Sequence, residues 1–188
     1  QLASHYYRNQ QLSEMQAVVG KVLADGKAFD QVHLAVGNFY AAIGNPEEAI
    51  QQFEQGIKTD SKSRSTYQKQ MVNVLLRSGN SERVLPVLDA LLKEQPTDRG
   101  AASMRAALWL ESGTPDRIDA ALAEFQRLAQ QMPADTLVRF NLARAYLAKG
   151  NLDTARKELL TCVERSHSAP VRLLLAEVYL RLNRYNEA

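Results

Sequence analysis

The stretch DQVHLAVGNFYAAIGNPEEAIQQFEQGIKTDSKS, residues 30–63, decides the reading of this chain. At its centre stands Gly44-Asn45-Pro46-Glu47-Glu48. Glycine ends a helix readily because it takes up left-handed dihedrals without a Cβ clash. The Asn that follows can accept hydrogen bonds from the first free amides of a second helix. Pro46 suits the first helical position, and the two glutamates suit the positive end of the helix dipole. The stretch therefore predicts two helices turned back on each other at Gly44.

The same corner returns along the chain at Gly79-Asn80, Gly113-Thr114 and Gly150-Asn151, with Asn183-Arg184 continuing the series. The intervals are 35, 34, 37 and 33 residues, within the range of helical-hairpin repeats. Other positions keep phase with it. Four residues before each corner stand Tyr40, Leu75, Trp109, Tyr146 and Tyr179, and seven before stand Gly37, Val72, Ala106, Ala143 and Ala176. Five after the corner come Ala49, Val84, Ala155 and Ala188; nine after come Phe53, Leu88 and Leu159. Bulky residues facing small ones in register let helices approach and interlock. The third hairpin carries Ala121 and Phe125 three residues late, which predicts about three extra residues within 114–119 and a second helix longer by nearly a turn. Pro96 and Pro133 close two of the repeats.

This pattern resembles the tetratricopeptide repeat. Residues 30–63 carry Val36-Gly37, Tyr40, Gly44, Ala49, Phe53 and Gly56 at the signature places, and residues 136–169 carry Leu142-Ala143, Tyr146, Gly150, Ala155, Leu159 and Cys162. Residues 65–97 and 99–135 are weaker copies, and 1–29 and 170–188 are partial ones. Departures fall on the early Trp position, which holds His33, Gln68, Ala102, Arg139 and Arg172. Leu91 and Leu128 stand where a small residue is usual, and Arg105 where an apolar one is. The resemblance implies an all-α fold, an α-solenoid in which antiparallel hairpins stack as a right-handed superhelix. It makes residues 1–188 a single array, read as a piece of a longer protein.

Stacked repeats leave a concave surface lined by the first helix of each pair. The resemblance assigns to that groove Gln31, Leu34, Asn38 and Ala41, then Thr66, Lys69, Asn73 and Leu76, then Ser103, Ala107 and Leu110. It continues with Leu137, Phe140, Arg144 and Leu147, and with Leu173, Glu177 and Leu180. The first half of this set is polar and the second apolar, edged by Arg144 and Glu177. Phe140 and Leu147 are expected to anchor apolar side chains of a protein or peptide ligand, with Lys69, Asn73 and Arg144 fixing polar groups. Lys69 and Asn73 match the first pair of a carboxylate clamp found in some repeats of this family. Met104, Leu137 and Asn141 stand where the rest of the clamp would be, so it is incomplete.

The chemistry of catalysis is thin. His5, His33 and His167 are the only histidines and form no spaced ligand pair. Cys162, the one cysteine, fits a small buried position and lacks a neighbouring base, and it excludes an intrachain disulfide. Trp109 falls on the bulky core position, and Glu47-Glu48 open a helix rather than form an acid–base pair. The nine glycines form no phosphate-cradling loop. No catalytic residue, metal or cofactor is expected. The chain is 45% hydrophobic and 23% charged, enough to build a core, and 23 Lys+Arg against 21 Asp+Glu leave +2, little for phosphate backbones. No apolar run approaches the ~20 residues that span a bilayer.

The resulting expectation is a non-catalytic, bacterial-type protein–protein interaction scaffold that binds neither nucleic acid nor membrane. Two other readings stay beside it: the regulatory or targeting arm of an enzyme whose catalytic domain lies outside these residues, and an RNA-binding helical-repeat array. Uncovered terminal repeats would favour self-association. The compartment, cytoplasmic or cell-envelope, stays open.

Overall fold

The computed structural model describes residues 1–26 and 31–182. The expected corner at Asn183-Arg184 and the in-phase Ala188 lie outside the described residues. The described residues are helical throughout, with no strand among them, and the chain divides into two compact units, residues 1–96 and 97–188.

The first unit contains α1 (Leu2–Arg8), α2 (Leu12–Ala24), α3 (Val32–Ala42), α4 (Pro46–Thr59), α5 (Arg64–Arg77) and α6 (Val84–Glu94). Short 3₁₀ turns, Ser61–Ser63 and Ser81–Arg83, precede α5 and α6. Successive helices pack as antiparallel pairs, α1 with α2, α3 with α4 and α5 with α6, and α4 packs on α5 to join one pair to the next. The second unit contains α7 (Arg99–Ser112), α8 (Pro115–Gln131), α9 (Thr136–Ala148), α10 (Leu152–Arg165) and α11 (Ala169–Arg181). Here α7 packs with α8, α8 with α9, α9 with α10, and α10 with α11.

The corners form where the sequence placed them. Gly44, Gly79, Gly113 and Gly150 all have positive φ, between 70° and 82°. One more corner belongs to the series. Gln10, between α1 and α2, also adopts the left-handed conformation at φ 59°, 34 residues before Gly44. Its non-glycine identity hid it from a glycine-based reading. The expected role of the residue after each corner needs correction. Asn151 caps α10 through Thr154 N–H, but Asn45, Asn80 and Thr114 make no side-chain cap bond. Proline at the start of α4 and α8 already removes one orphan donor, so less remains to be capped. The working side-chain caps lie largely between hairpins instead: Asp60 accepts from Ser63, Asp98 from Ala101, and Asp135 from Leu137 and Val138.

The size alternation is physical. A Cβ on Gly37 would lie 2.3 Å from the Phe53 ring, so α3 approaches α4 more closely than alanine permits. A Cβ on Gly56 would lie 2.2 Å from the Tyr67 ring, which is the equivalent contact between α4 and α5 of the following hairpin. Ala49, Phe53, Val84 and Leu88 are buried in the first unit, as are Ala106, Ala121, Phe125, Ala143, Ala155 and Leu159 in the second. Helix α8 has 17 residues where α4 and α10 have 14, so the three extra residues lengthen the helix and leave its core positions buried.

Two hairpins share a polar brace. His33 Nδ1 meets Gln52 Oε1 at 2.9 Å, and Arg139 Nη1 donates to Glu158 Oε2 at 2.7 Å, each pair 19 residues apart and crossing from first helix to second. In the second hairpin the same register pairs Gln68 with Val87, which offers no polar atom. Gln68 is 4% exposed, and its Oε1 is buried without a hydrogen-bond partner. The departures from the early Trp position are thus paired polar contacts in two hairpins and an orphaned acceptor in a third.

Candidate functional site

In the first unit the expected groove residues lie on the neighbouring first helices α3 and α5, which touch each other. Asn38, Thr66, Lys69, Asn73 and Leu76 are exposed, while Leu34 and Ala41 are half-buried. Gln31 sits at the N-terminus of α3 with φ 59°, and its Nε2 donates to Ser63 Oγ at 3.0 Å. Lys69, Asn73 and Arg77 follow at one-turn intervals along α5 and so share a face. Arg77 also lines a cleft of about 210 Å³ with Ala41, Gly44, Pro46, Val74 and Ser78.

In the second unit the apolar anchors differ from those expected. Leu110 is only 8% exposed and belongs to the core rather than to an open face. Phe140 and Leu147 are half-buried and pack against a cluster of Ala143, Leu159, Cys162, Val171, Leu175, Val178 and Tyr179, so the packing of α9 to α11 already engages them. The open apolar side chains are Leu137 (63% exposed), Leu173 (72%), Leu180 and Met104. Met104 enters the sequence pattern only as a residue that breaks the clamp. Arg144 donates to Asn141 Oδ1 at 3.1 Å, and Glu177 pairs with Arg181 at 2.5 Å. Ser103 and Ala107 are half-buried.

Exposure follows helix class. From residue 31 onward, the exposed large hydrophobic residues are Leu76, Met104, Leu137, Leu160, Leu173 and Leu180; five of these six lie on first helices. The second helices keep their apolar stripe inside, with Leu88, Phe125 and Leu159 at 0–1% exposure.

Residues singled out for possible chemistry take structural places. Cys162 is buried, with Sγ 3.6 Å from the Thr136 carbonyl. Burial, and then Glu158, push its thiol pKa up, against the opposing pull of Arg139 and Arg165, which disfavours the nucleophilic thiolate. His33 is tied to Gln52, His167 lies 2.9 Å from the Arg172 guanidinium, and His5 meets Asn9 at 3.0 Å. Trp109 is half-buried under the Arg105 guanidinium, 4.5 Å from its ring. Glu47 holds Arg83 through both carboxylate oxygens at 3.0 Å, joining α4 to the turn before α6. Among the described residues no group of His, Cys, Asp and Glu is placed to hold a metal, and no helix is long and apolar enough to cross a membrane.

Comparison with known proteins agrees with this geometry. Family models described as tetratricopeptide repeat match residues 30–63 and 114–165. No curated protein sequence matches the chain. Among solved structures, MamA from Desulfovibrio magneticus RS-1 is similar at 20% identity and a TM-score of 0.74, over 84% of this chain and 89% of that one. A thermophilic TPR protein of Thermus thermophilus is similar at 19% identity and a TM-score of 0.60, over 84% of each chain. A tetratricopeptide repeat protein from Parabacteroides merdae ATCC 43184 is similar at 15% identity and a TM-score of 0.73, over 97% of this chain and 71% of that one. These likenesses concern the fold. Helical hairpins with left-handed corners in phase, and two matched repeat segments, make the chain a member of the tetratricopeptide-repeat family.

Proposed function

We propose that the chain is a non-catalytic protein-interaction module whose first helices hold an extended peptide or a helix of a partner protein. Tetratricopeptide repeats serve protein–protein interaction generally, and this chain carries them. The observation that carries the finer reading is the concentration of exposed large apolar side chains on first helices. Apolar groups left in water on one helix class, beside polar residues such as Asn38, Asn73 and Glu177, have the composition of a contact surface. The carboxamides of Asn38 and Asn73 can each donate to and accept from an extended backbone. Leu76 in the first unit, and Leu137 and Leu173 in the second, are the anchors of this reading, in place of Phe140 and Leu147.

Selection of binders from a displayed peptide library, repeated on variants, tests the proposal. Leu76→Asp and Leu173→Asp are expected to weaken selected peptides by about tenfold or more, as for loss of a central apolar anchor, while circular dichroism and unfolding midpoint stay unchanged. Leu160→Asp, on a second helix, is the control. Peptides that bind the first two variants as well as the parent, or lose affinity only with Leu160→Asp, would remove the reading.

A further inference from the structure

The net charge of +2 conceals a separation of charge by helix class in the first unit. Helices α3 and α5 together carry Arg64, Lys69 and Arg77 and no acidic residue. Their partners α4 and α6 carry Glu47, Glu48, Glu54, Asp89 and Glu94 against Lys58 and Lys93. Arg64 is turned to its own hairpin partner, donating to Glu94 at 3.0 Å. The basic character of the α3/α5 face therefore comes from Lys69 and Arg77, both exposed and two turns apart on one face of α5. At 1.5 Å per residue their Cα atoms are separated by about 12 Å along the helix.

We infer that this face takes an acidic, extended segment of a partner protein. The inference rests on the interaction reading above and adds the chemistry of the partner. Charge complementarity supplies the choice: an acidic chain is attracted to α3 and α5 and repelled by the carboxylates of α4 and α6, which fixes the side it approaches. An extended chain advances about 3.3 Å per residue, so two carboxylates four residues apart span about 13 Å, close to the Lys69–Arg77 separation. The cleft shared by Ala41, Val74 and Arg77 places a guanidinium beside apolar carbon, a setting that suits a carboxylate on a short aliphatic stem. Leu34 and Leu76 stand on the same pair of helices and suit apolar residues between the acids. Nucleic acid is a poorer occupant. Two cations neutralise few phosphates, and among the assigned groove positions of α3 and α5 there is no aromatic ring on which bases could stack.

Fluorescence anisotropy on the whole chain tests this with three labelled probes. The probes are a twelve-residue peptide with Glu at every fourth position among Leu and Ser, the same peptide with Gln for Glu, and oligouridylate. The expected result is that the Glu peptide binds at least tenfold more tightly than the Gln peptide at low salt, with the gap closing as salt rises. Lys69→Glu with Arg77→Glu should abolish the preference without moving the unfolding midpoint. Equal binding of the two peptides would overturn the inference and leave the interaction reading standing. Binding of oligouridylate with neither peptide bound would overturn both, and failure of the Glu peptide to bind at low salt overturns the inference by itself.

Discussion

Gln68 and Gln10 show how single residues tune this scaffold. The buried carbonyl oxygen of Gln68 lacks a protein partner, and a buried unsatisfied polar atom costs roughly 1–3 kcal/mol. Gln68→Met keeps the volume and removes that atom, so it should raise stability by about 1 kcal/mol, read from the urea unfolding midpoint. Val87→Gln would place a donor in the register of Gln52 and Glu158 and should also stabilise. Destabilisation by both changes would refute the account of the brace. Gln10 holds a left-handed conformation at a corner where the later repeats use glycine. Gln10→Gly relieves strain of order 1 kcal/mol, partly offset by the extra freedom of an unfolded glycine. A small rise in the thermal midpoint is expected, and a fall of several degrees would contradict it.

Among elements, the decisive contact is between hairpins rather than within them, because a lone helix pair cannot bury its apolar face. Gly56 of α4 lies against Tyr67 of α5 with no room for a methyl group. Gly56→Ala should therefore destabilise the first unit by about 1–3 kcal/mol despite alanine's better helix propensity. Gly20 is the control, since a Cβ there meets nothing within 4 Å; Gly20→Ala should be stabilising. If both glycines respond alike in chemical denaturation, the interlock is not what joins the pairs.

This level was largely legible beforehand. The corner glycines, the small and bulky positions flanking them and the longer α8 all follow from periodicity, because backbone handedness and core size constrain residue type. The site was less legible. Whether Leu110, Phe140 and Leu147 face solvent depends on how far neighbouring helices reach over them, which spacing does not encode. The side-chain caps at Asp98 and Asp135 do have a local signal, a Pro-x-Asp spacing at Pro96 and Pro133.

At the scale of the whole molecule, summed charge was the misleading quantity. A balance of +2 argued against any electrostatic preference, yet α3 and α5 are purely basic while α4 and α6 are predominantly acidic. Averaging over a repeat array cancels contrasts that recur by helix class, and function in such arrays is set by the class that faces the partner. Apolar exposure points to the same class, from Leu76 in the first unit to Leu173 and Leu180 in the second.

Amide chemical-shift mapping with the Glu-containing peptide addresses the central claim most directly. The account predicts that perturbations gather on first helices, at Asn38, Lys69, Asn73 and Arg77 above all. Shifts confined to α4, α6, α8 and α10 would contradict it.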